Sequence, residues 1–553
     1  MKKLFSLALF FLAFKAQAQD LDAALRTKID DEVKQYVEGV SPGIAVGIVK
    51  GGEVVYQNYL GYANLEHQIK IDEKTRFNIA SNAKQFTALC ILRLCEEGKI
   101  SLDDDFREYL PNLYKNIKEE ITISNLLTHT SGIRDYCDLY ALTGRTWWKH
   151  FDDNDDVIEL LEAQTDLNFK PNTEYLYSNS NYILLAQIVT EVMGKDFHKL
   201  AKDMFESMGM DHTAFVHHYA RPIPHKADPY GNWGGWRKEA TITEFHGDGA
   251  LFTTLPDQLR WEQIVQQNNG EALPQEIIEK SQLPIKRAFT QGYGYGLFFD
   301  KRKELNYVFH DGVTGAYNAT FLRFPTQKIS IVVMGNNRNI IANNVAWGIA
   351  YHLLGLTADE RLYPANPDKT EELAQIQDVL GAYKGEGEDG TMIKIVERNG
   401  ALYREIYQRD PVKLVHEKES LFEYETIQGL KMNFRNIGKQ NQCFTLYRSS
   451  QRPSTYYKFS SLIADDFSKT ALNGTFYNSD TDTKIILKYV EGDTYTLIKN
   501  GQERKAVLLL QDYLRMMDSY EIRVIRDKYD KIIGLNVKNN RIKNVIFEKV
   551  VTP

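Results

Sequence analysis

Strand-like and helix-like runs are unevenly spread along this chain, and that limits the folds open to it. Ile44 to Val49 and Val54 to Leu60 are β-branched, apolar runs separated by Lys50-Gly51-Gly52-Glu53, which reads as a hairpin. From about residue 100 to 285 the pattern is helical and loopy. Strand patterns return at Gly292-Tyr293-Gly294-Tyr295-Gly296-Leu297-Phe298-Phe299, at Tyr307 to Phe309, at Tyr317 to Phe324 and at Ile329 to Met334. An isolated hairpin is not stable, so the early one needs partners. The economical solution joins it to the late strands in one mainly antiparallel sheet. Leu21, Leu25, Ile29, Val33 and Val37 recur every four residues as an opening helix, and a second helix from about Ile340 to Leu354 closes the unit. The terminal helices would cover one face of the sheet and the helical insertion the other. The expected class is α/β (α+β), an antiparallel sheet flanked by helices, over residues 19–362.

At 553 residues the chain exceeds one ordinary domain. Beyond a linker with Pro364 and Pro367 it repeats itself. Leu380-Gly381-Ala382-Tyr383 matches Asn473-Gly474-Thr475-Phe476, and the Thr391 to Val396 run matches Thr483 to Lys488. Asn399-Gly400 likewise matches Glu491-Gly492, an offset of about ninety-two residues. Two all-β, barrel-like repeats are expected, at 370–462 and 468–553. The halves of one larger barrel would fit the same pattern.

Residues 1–18 read as a secretory leader, with Lys2 and Lys3, an apolar run from Leu4 to Phe14, and Ala16-Gln17-Ala18 before the cleavage point. That run is too short for a stable membrane span. The expected location is therefore periplasmic or secreted. Of the four cysteines, Cys90 and Cys95 fall on one helix but not on one face, so they read as small apolar residues. The composition is globular, and a net charge of −7 offers no basic field, so no nucleic-acid partner is expected. No metal or cofactor is expected, since neither CxxC nor HExxH occurs. His217, His218 and His225 read as loop histidines. The oligomeric state is not legible.

Chemistry centres on Phe77-Asn78-Ile79-Ala80-Ser81-Asn82-Ala83-Lys84-Gln85-Phe86-Thr87-Ala88. It reads as the end of an extended segment, a break and the first turn of a helix. Ser81 and Lys84 then share one face, the hydroxyl at the positive end of the helix and the amine one turn on. An amine so placed can take the hydroxyl proton and activate the serine as a nucleophile. Taken alone the motif is bland, because Ser-x-x-Lys recurs by chance about once or twice in a chain of this length and Ser81 could be a helix cap. Two more clusters join it. Tyr177 and Asn179 open an apolar helix, where a phenol can relay a proton and an amide can hold a carbonyl. Phe309-His310-Asp311-Gly312-Val313-Thr314-Gly315 lies between strand patterns, where glycine permits close approach and a strand edge can take a peptide. His246 and Asp248 fit either a cleft border or a turn.

The order SxxK, YxN, HxG resembles the serine penicillin-recognising hydrolases: class C β-lactamases, D,D-carboxypeptidases, D-aminopeptidases and related esterases. Leu126-Leu127-Thr128-His129-Thr130-Ser131-Gly132 and Gly249-Ala250-Leu251-Phe252-Thr253-Thr254 also look like that family. The resemblance covers about residues 40–355 and implies a β-lactamase/transpeptidase-like fold. It implies Ser81 as the acylated nucleophile, with Lys84 and Tyr177 as general base and proton relay. Asn179 would position the substrate carbonyl, with His310 and Gly312 on the strand edging the cleft. The backbone N–H groups of Ser81 and Val313 would form the oxyanion hole. His129 would belong to a structural signature. Class C β-lactamases typically carry Lys-Thr-Gly where this chain has His310-Asp311-Gly312, and D-aminopeptidases of the family carry two C-terminal barrels. The resemblance thus implies hydrolysis of a small peptide, amide or ester, with D-amino-acid peptides among the candidates. A β-lactamase, a carboxylesterase and a catalytically inactive penicillin- or ligand-binding protein stand as alternatives.

Overall fold

The computed structural model describes residues 21–550 apart from 147–148, 240–244, 268–272, 303, 357–366, 368, 386–391, 407–409, 427–428, 449–450, 460–466 and 517–519. The leader at 1–18 and Pro364 of the linker lie outside the described residues. A seven-stranded antiparallel sheet forms the first unit. Its order is Tyr293–Gly294, Leu297–Arg302, Leu305–Thr314, Tyr317–Phe324, Ile329–Gly335, Ile44–Lys50 and Glu53–Leu60. The seam between the ends of the unit is the pairing of Ile44 with Gly335 through Lys50 with Ile329.

Side-chain alternation explains how both faces are covered. Ile44, Val46 and Ile48 point toward the helices Ala23–Lys34 and Ala342–Leu353, joining Ile29, Val33, Val345 and Ile349 in one core. Ala45 and Val49 point the other way, into the core that holds Phe86, Leu89 and Trp261. Because both faces are buried, the Ile44–Lys50 strand is apolar at nearly every position. The helices Lys84–Glu96, Asn179–Met193 and Leu255–Gln267 build the second layer.

One polar cluster lies inside that layer. Arg323 forms a bidentate pair with Glu262, with both contacts at 2.7 Å, and donates at 2.8 Å to Gln85 Oε1. Trp261 Nε1 donates to the same oxygen at 2.8 Å. This ties the sheet to the helix that carries Lys84.

Two expected elements differ. The run Gly292 to Phe299 is not one strand but two, because Tyr295 and Gly296 both take positive φ (51° and 78°) and turn the chain. A Cβ on Gly296 would lie 2.3 Å from Gln85 N, so the turn is pressed against the Lys84 helix. Likewise His310 to Thr314 do not lie between strands. They continue one ten-residue strand, Leu305–Thr314.

The C-terminal repeats form two closed eight-stranded barrels, Gly381–Phe459 and Gly474–Lys549. Each is entered by a short 3-10 turn, Ile376–Val379 or Lys469–Leu472. Tyr383 and Phe476 take the same place on the first strand, opposite Ile393 and Ile485. The first barrel is filled by Tyr383, Phe422, Phe434 and Phe444. Among the described residues, it is the second barrel that contacts the sheet-bearing unit extensively. Its loop at 539–544 is clamped there: Arg134 donates to the carbonyls of Lys543 and Asn544 at 3.2 and 2.8 Å, and Asn168 Nδ2 to that of Arg541 at 3.0 Å.

Replacing Glu262 by Leu removes one partner of a buried ion pair and leaves Arg323 charged and uncompensated. The expected loss is about 3–5 kcal/mol, read as a lowered urea midpoint of tryptophan fluorescence. An unchanged midpoint would contradict a structural role for the pair.

Candidate active site

Ser81 sits on a 3-10 turn, Ala80–Ala83, that runs directly into the helix Lys84–Glu96. The preceding strand Phe77–Asn78 is held by Leu251–Thr253, and Ile79 N donates to Leu251 O at 3.0 Å. Ala80 takes a positive φ of 47°, a strained conformation for a residue with a Cβ, and so presents Ser81 outward. Asn78 Oδ1 accepts the Ala80 N–H at 2.9 Å and fixes the bend.

Lys84 is completely buried, yet among the described residues no carboxylate lies within ion-pair distance of it. Its Nζ lies 2.7 Å from Asp248 O, 2.9 Å from Asn179 Oδ1 and 3.2 Å from Ser81 Oγ. Two of these oxygens are carbonyl-type and can only accept. A neutral amine donating to both would turn its lone pair toward the third, the Ser81 hydroxyl. That is the arrangement a general base for a serine requires.

Asn179 is itself anchored. Its N–H donates to Asp135 Oδ2 at 2.6 Å, while Asp135 Oδ1 caps the helix Tyr136–Thr143 through Cys137 N at 2.9 Å. His129 holds the preceding residue, since Ser178 N donates to its Nδ1 at 3.2 Å. The His129 ring packs 4.2 Å from that of Tyr177. Burial, then the charge of Lys84, holds His129 well below the ordinary histidine range, so it is a neutral brace.

Tyr177 presents its ring to Lys84 Nζ at 5.1 Å. Its hydroxyl is buried and has no hydrogen-bond partner among the described residues. It is therefore uncommitted beside the Ser81–Lys84 contact, as a proton relay awaiting substrate would be.

His310 and Gly312 lie on the strand beside this turn. A Cβ on Gly312 would fall 2.2 Å from Ile79 O and 2.8 Å from Asn82 Nδ2. Only glycine lets the strand approach the nucleophile turn this closely. The neighbouring strand Leu297–Arg302 pairs with residues 305–309 and no further. Residues 310–314 thus form a strand edge at the cleft, where Val313 is 65% exposed. His310 is buried, with Nδ1 2.7 Å from Asp311 O and Nε2 3.1 Å from Tyr293 Oη. Burial, with the charge of Lys84 second, pushes its pKa down to about 3, so at neutral pH it carries no charge.

Ser81, Asn179, Val313 and Arg541 line both of two adjoining clefts, of about 370 and 1000 Å³. Three participants carry no motif of their own. Asp248, whose cleft role stood open, supplies the backbone acceptor for Lys84. Tyr136 donates to Asp248 Oδ2 at 3.0 Å. Arg541 arrives from the second barrel and stands 4.7 Å over the Tyr177 ring. The three histidines lie in loops: His217 is half-buried, its ring stacked 3.8 Å from that of His198, while His218 and His225 are exposed. Among the described residues, no group of three His, Cys, Asp or Glu is placed to hold a metal ion.

Sheet and helical layer together define a β-lactamase/transpeptidase-like fold, with the Ser81–Lys84 turn at its cleft. Residues 29–353 match the family model described as Beta-lactamase, and the chain belongs to that family. Protein flp of Staphylococcus aureus is 29% identical over 54% of this chain and 60% of its own length. A D-aminopeptidase of Gluconobacter oxydans is 28% identical over 54% of this chain and 56% of its own. The chain thus spans less than two thirds of each of these relatives. An octameric penicillin-binding protein homologue from Pyrococcus abyssi superposes over 79% of this chain and all of its own, with a TM-score of 0.55 and 23% identity, which supports the fold.

Gly312→Ala should reduce kcat/KM for any acyl substrate by about 100-fold or more while the chain still folds, because the added methyl must push the Ile79–Ser81 turn away from its donors. Steady-state kinetics and circular dichroism test this, and wild-type rates would contradict it. A pH effect also follows. Unfolded, His310 binds a proton below about 6.5; folded, only near 3. The unfolded state therefore takes up more protons between those values, and His310 makes stability fall as pH drops from about 6.5 toward 3. Urea midpoints at pH 7 and 4.5 should diverge less in His310→Gln than in the wild type; equal divergence would contradict the neutral, buried imidazole.

Proposed function

We propose that this β-lactamase-family protein is an exported serine hydrolase acting through an acyl-enzyme on small peptides, amides or esters, D-amino-acid peptides among them. The observation that carries the reading is the position of Lys84 Nζ, aimed at Ser81 Oγ by two carbonyl-type acceptors. Lys84 takes the Ser81 proton as Oγ bonds to the substrate carbonyl carbon. The oxyanion is received by the backbone N–H groups of Ser81 and Val313. Collapse breaks the bond to the leaving nitrogen or oxygen, which receives the proton by way of Tyr177. Water then attacks the ester, its proton passing back along the same route, and the freed acid leaves Ser81 protonated. Asn179 holds both Lys84 and the substrate carbonyl. Export rests on the leader pattern at residues 1–18.

The choice of amide or ester over β-lactam is supported by His310. A permanent lysine charge stands at this place in class C β-lactamases, whereas the imidazole here is neutral. The relative described as a D-aminopeptidase supports D-amino-acid substrates.

The test is labelling of the full chain by a serine-reactive phosphonate, together with turnover of D-amino-acid amides, D-Ala-D-Ala peptides, short esters and a chromogenic cephalosporin. Wild-type protein should be labelled, Ser81→Ala should not, and Lys84→Ala should react at least 1000-fold more slowly, as expected for loss of a nucleophile's base. Undiminished labelling of Ser81→Ala would overturn the assignment. Rapid multiple turnover of the cephalosporin in preference to the others would make the protein a β-lactamase.

A further inference from the structure

Away from Ser81, positive charge is left unanswered where the two barrels face each other. Ala382 and Met392 of the first barrel pack with Leu510 and Tyr513 of the second in one apolar cluster. Beside it, Lys384 of the first barrel and Lys538 of the second each lie 2.7 Å from the same oxygen, Glu521 Oε2. Arg515 stands directly opposite Glu521 in the ladder of the second barrel. Three cations thus gather around one carboxylate. Burial pushes Lys384 below the ordinary lysine range although Glu521 opposes the shift, and Lys538 adds to it.

Arg515 is the cation that this carboxylate does not reach. Among the described residues no acid lies within ion-pair distance of it, and its Nη1 is sealed from water without a hydrogen-bond partner. The same side chain lines a cavity of about 230 Å³ between the barrels. The cavity walls are apolar at Met392, Ile406, Val507 and Leu509. Its other charged groups are Lys394, Glu405 and Asp493. Both acids are spoken for: Glu405 stands opposite Lys394 but pairs with Arg398, and Asp493 pairs with Lys469 at 2.7 Å. The two cations of the cavity, Arg515 and Lys394, have no such partner among the described residues.

A guanidinium keeps its charge at any ordinary pH, so Arg515 cannot escape the cost of burial by losing a proton. That cost is relieved by an anion, and a carboxylate matches the planar fork with two parallel bonds. A bare ion would leave the apolar walls wet, whereas an apolar body attached to the anion covers them. Drug-sized ligands occupy about 300 Å³ or more, so the occupant is smaller than that.

We propose that the seam between the barrels is a binding site for a small organic acid, its carboxylate held by Arg515 and Lys394 and its aliphatic or aromatic body laid against Met392, Ile406, Val507 and Leu509. The site shares no lining residue with the clefts at Ser81, and it stands whether or not the chain is a hydrolase.

Isothermal titration of the full chain tests this, with hexanoate and benzoate as probes, hexanamide and benzamide as their neutral counterparts, and inorganic phosphate as a bare anion. The wild type should bind one of the acids saturably and about tenfold or more tighter than its amide, the scale of a charge-assisted contact. Arg515→Gln should weaken the acid by about tenfold or more and leave the amide unchanged. Without ligand, the urea midpoint of Arg515→Gln should be no lower than that of the wild type, because the substitution removes an uncompensated charge. A lower midpoint, or a variant that does not fold, would show that the guanidinium is committed to the fold and overturns the proposal. Unchanged affinity of Arg515→Gln for the acid overturns it, as does a wild type that binds neither acid. Phosphate binding as tight as that of the acids also overturns it, since the apolar walls would then have no role.

Discussion

A lysine amine held out of water against a serine hydroxyl is the constraint on which the rest of this structure depends. A buried amine without a carboxylate is costly unless every direction around it meets a polar atom. Here those atoms come from three separate stretches: the turn of Ser81, the start of the Asn179–Met193 helix and the carbonyl of Asp248. Each stretch must be placed to within a few tenths of an ångström, and much of the surrounding architecture does that placing. Asp135 caps one helix and ties down another; His129 braces the Tyr177 segment; the strained φ of Ala80 lifts Ser81 into the cleft.

The sheet contributes by close approach. Gly312 brings the Leu305–Thr314 strand against the carbonyl of Ile79, and the turn at Gly296 presses on the backbone of Lys84 and Gln85. The buried Arg323–Glu262 pair reaches the same helix through Gln85. Two backbones and one ion pair thus fix the helix from three sides. The two barrels share a plan but not a role. Among the described residues, it is the second that carries the loop docking on the Tyr136–Thr143 helix and reaching the clefts. The first is tied to the second by Lys384, which pairs with Glu521 at 2.7 Å.

Much of this was legible beforehand, and the reasons are local. Near-continuous apolar runs at Ile44 to Val49 and Ile329 to Met334 announced strands, and a ninety-residue echo announced paired β units. The order of Ser81, Lys84, Tyr177, Asn179, His310 and Gly312 was readable because each belongs to a short local pattern, the first four at or beside helix starts and the last two on one strand. The failures are equally local. Gly292 to Phe299 looks continuous because aromatic and glycine residues alternate, but Tyr295 and Gly296 adopt φ values that pattern does not encode. The ionisation of His310 depends on burial by Tyr293 and Phe298, which arrive from two other strands. Asp248 works through its backbone carbonyl, for which no side-chain motif exists.

The sequence by itself determined the sheet with its flanking helices, the duplication of the β unit and the residue types gathered around Ser81. These follow from periodicity and short-range spacing, which the chain carries locally. Tertiary structure alone decided that the repeats close as two barrels, that His310 is neutral, and that Arg541 stands over Tyr177. Residues 177 and 541 are far apart in the chain, and only the packing of the second barrel against Arg134 and Asn168 brings them together. Charge, burial and proximity are properties of the assembled surroundings, and no run of neighbouring residues contains them.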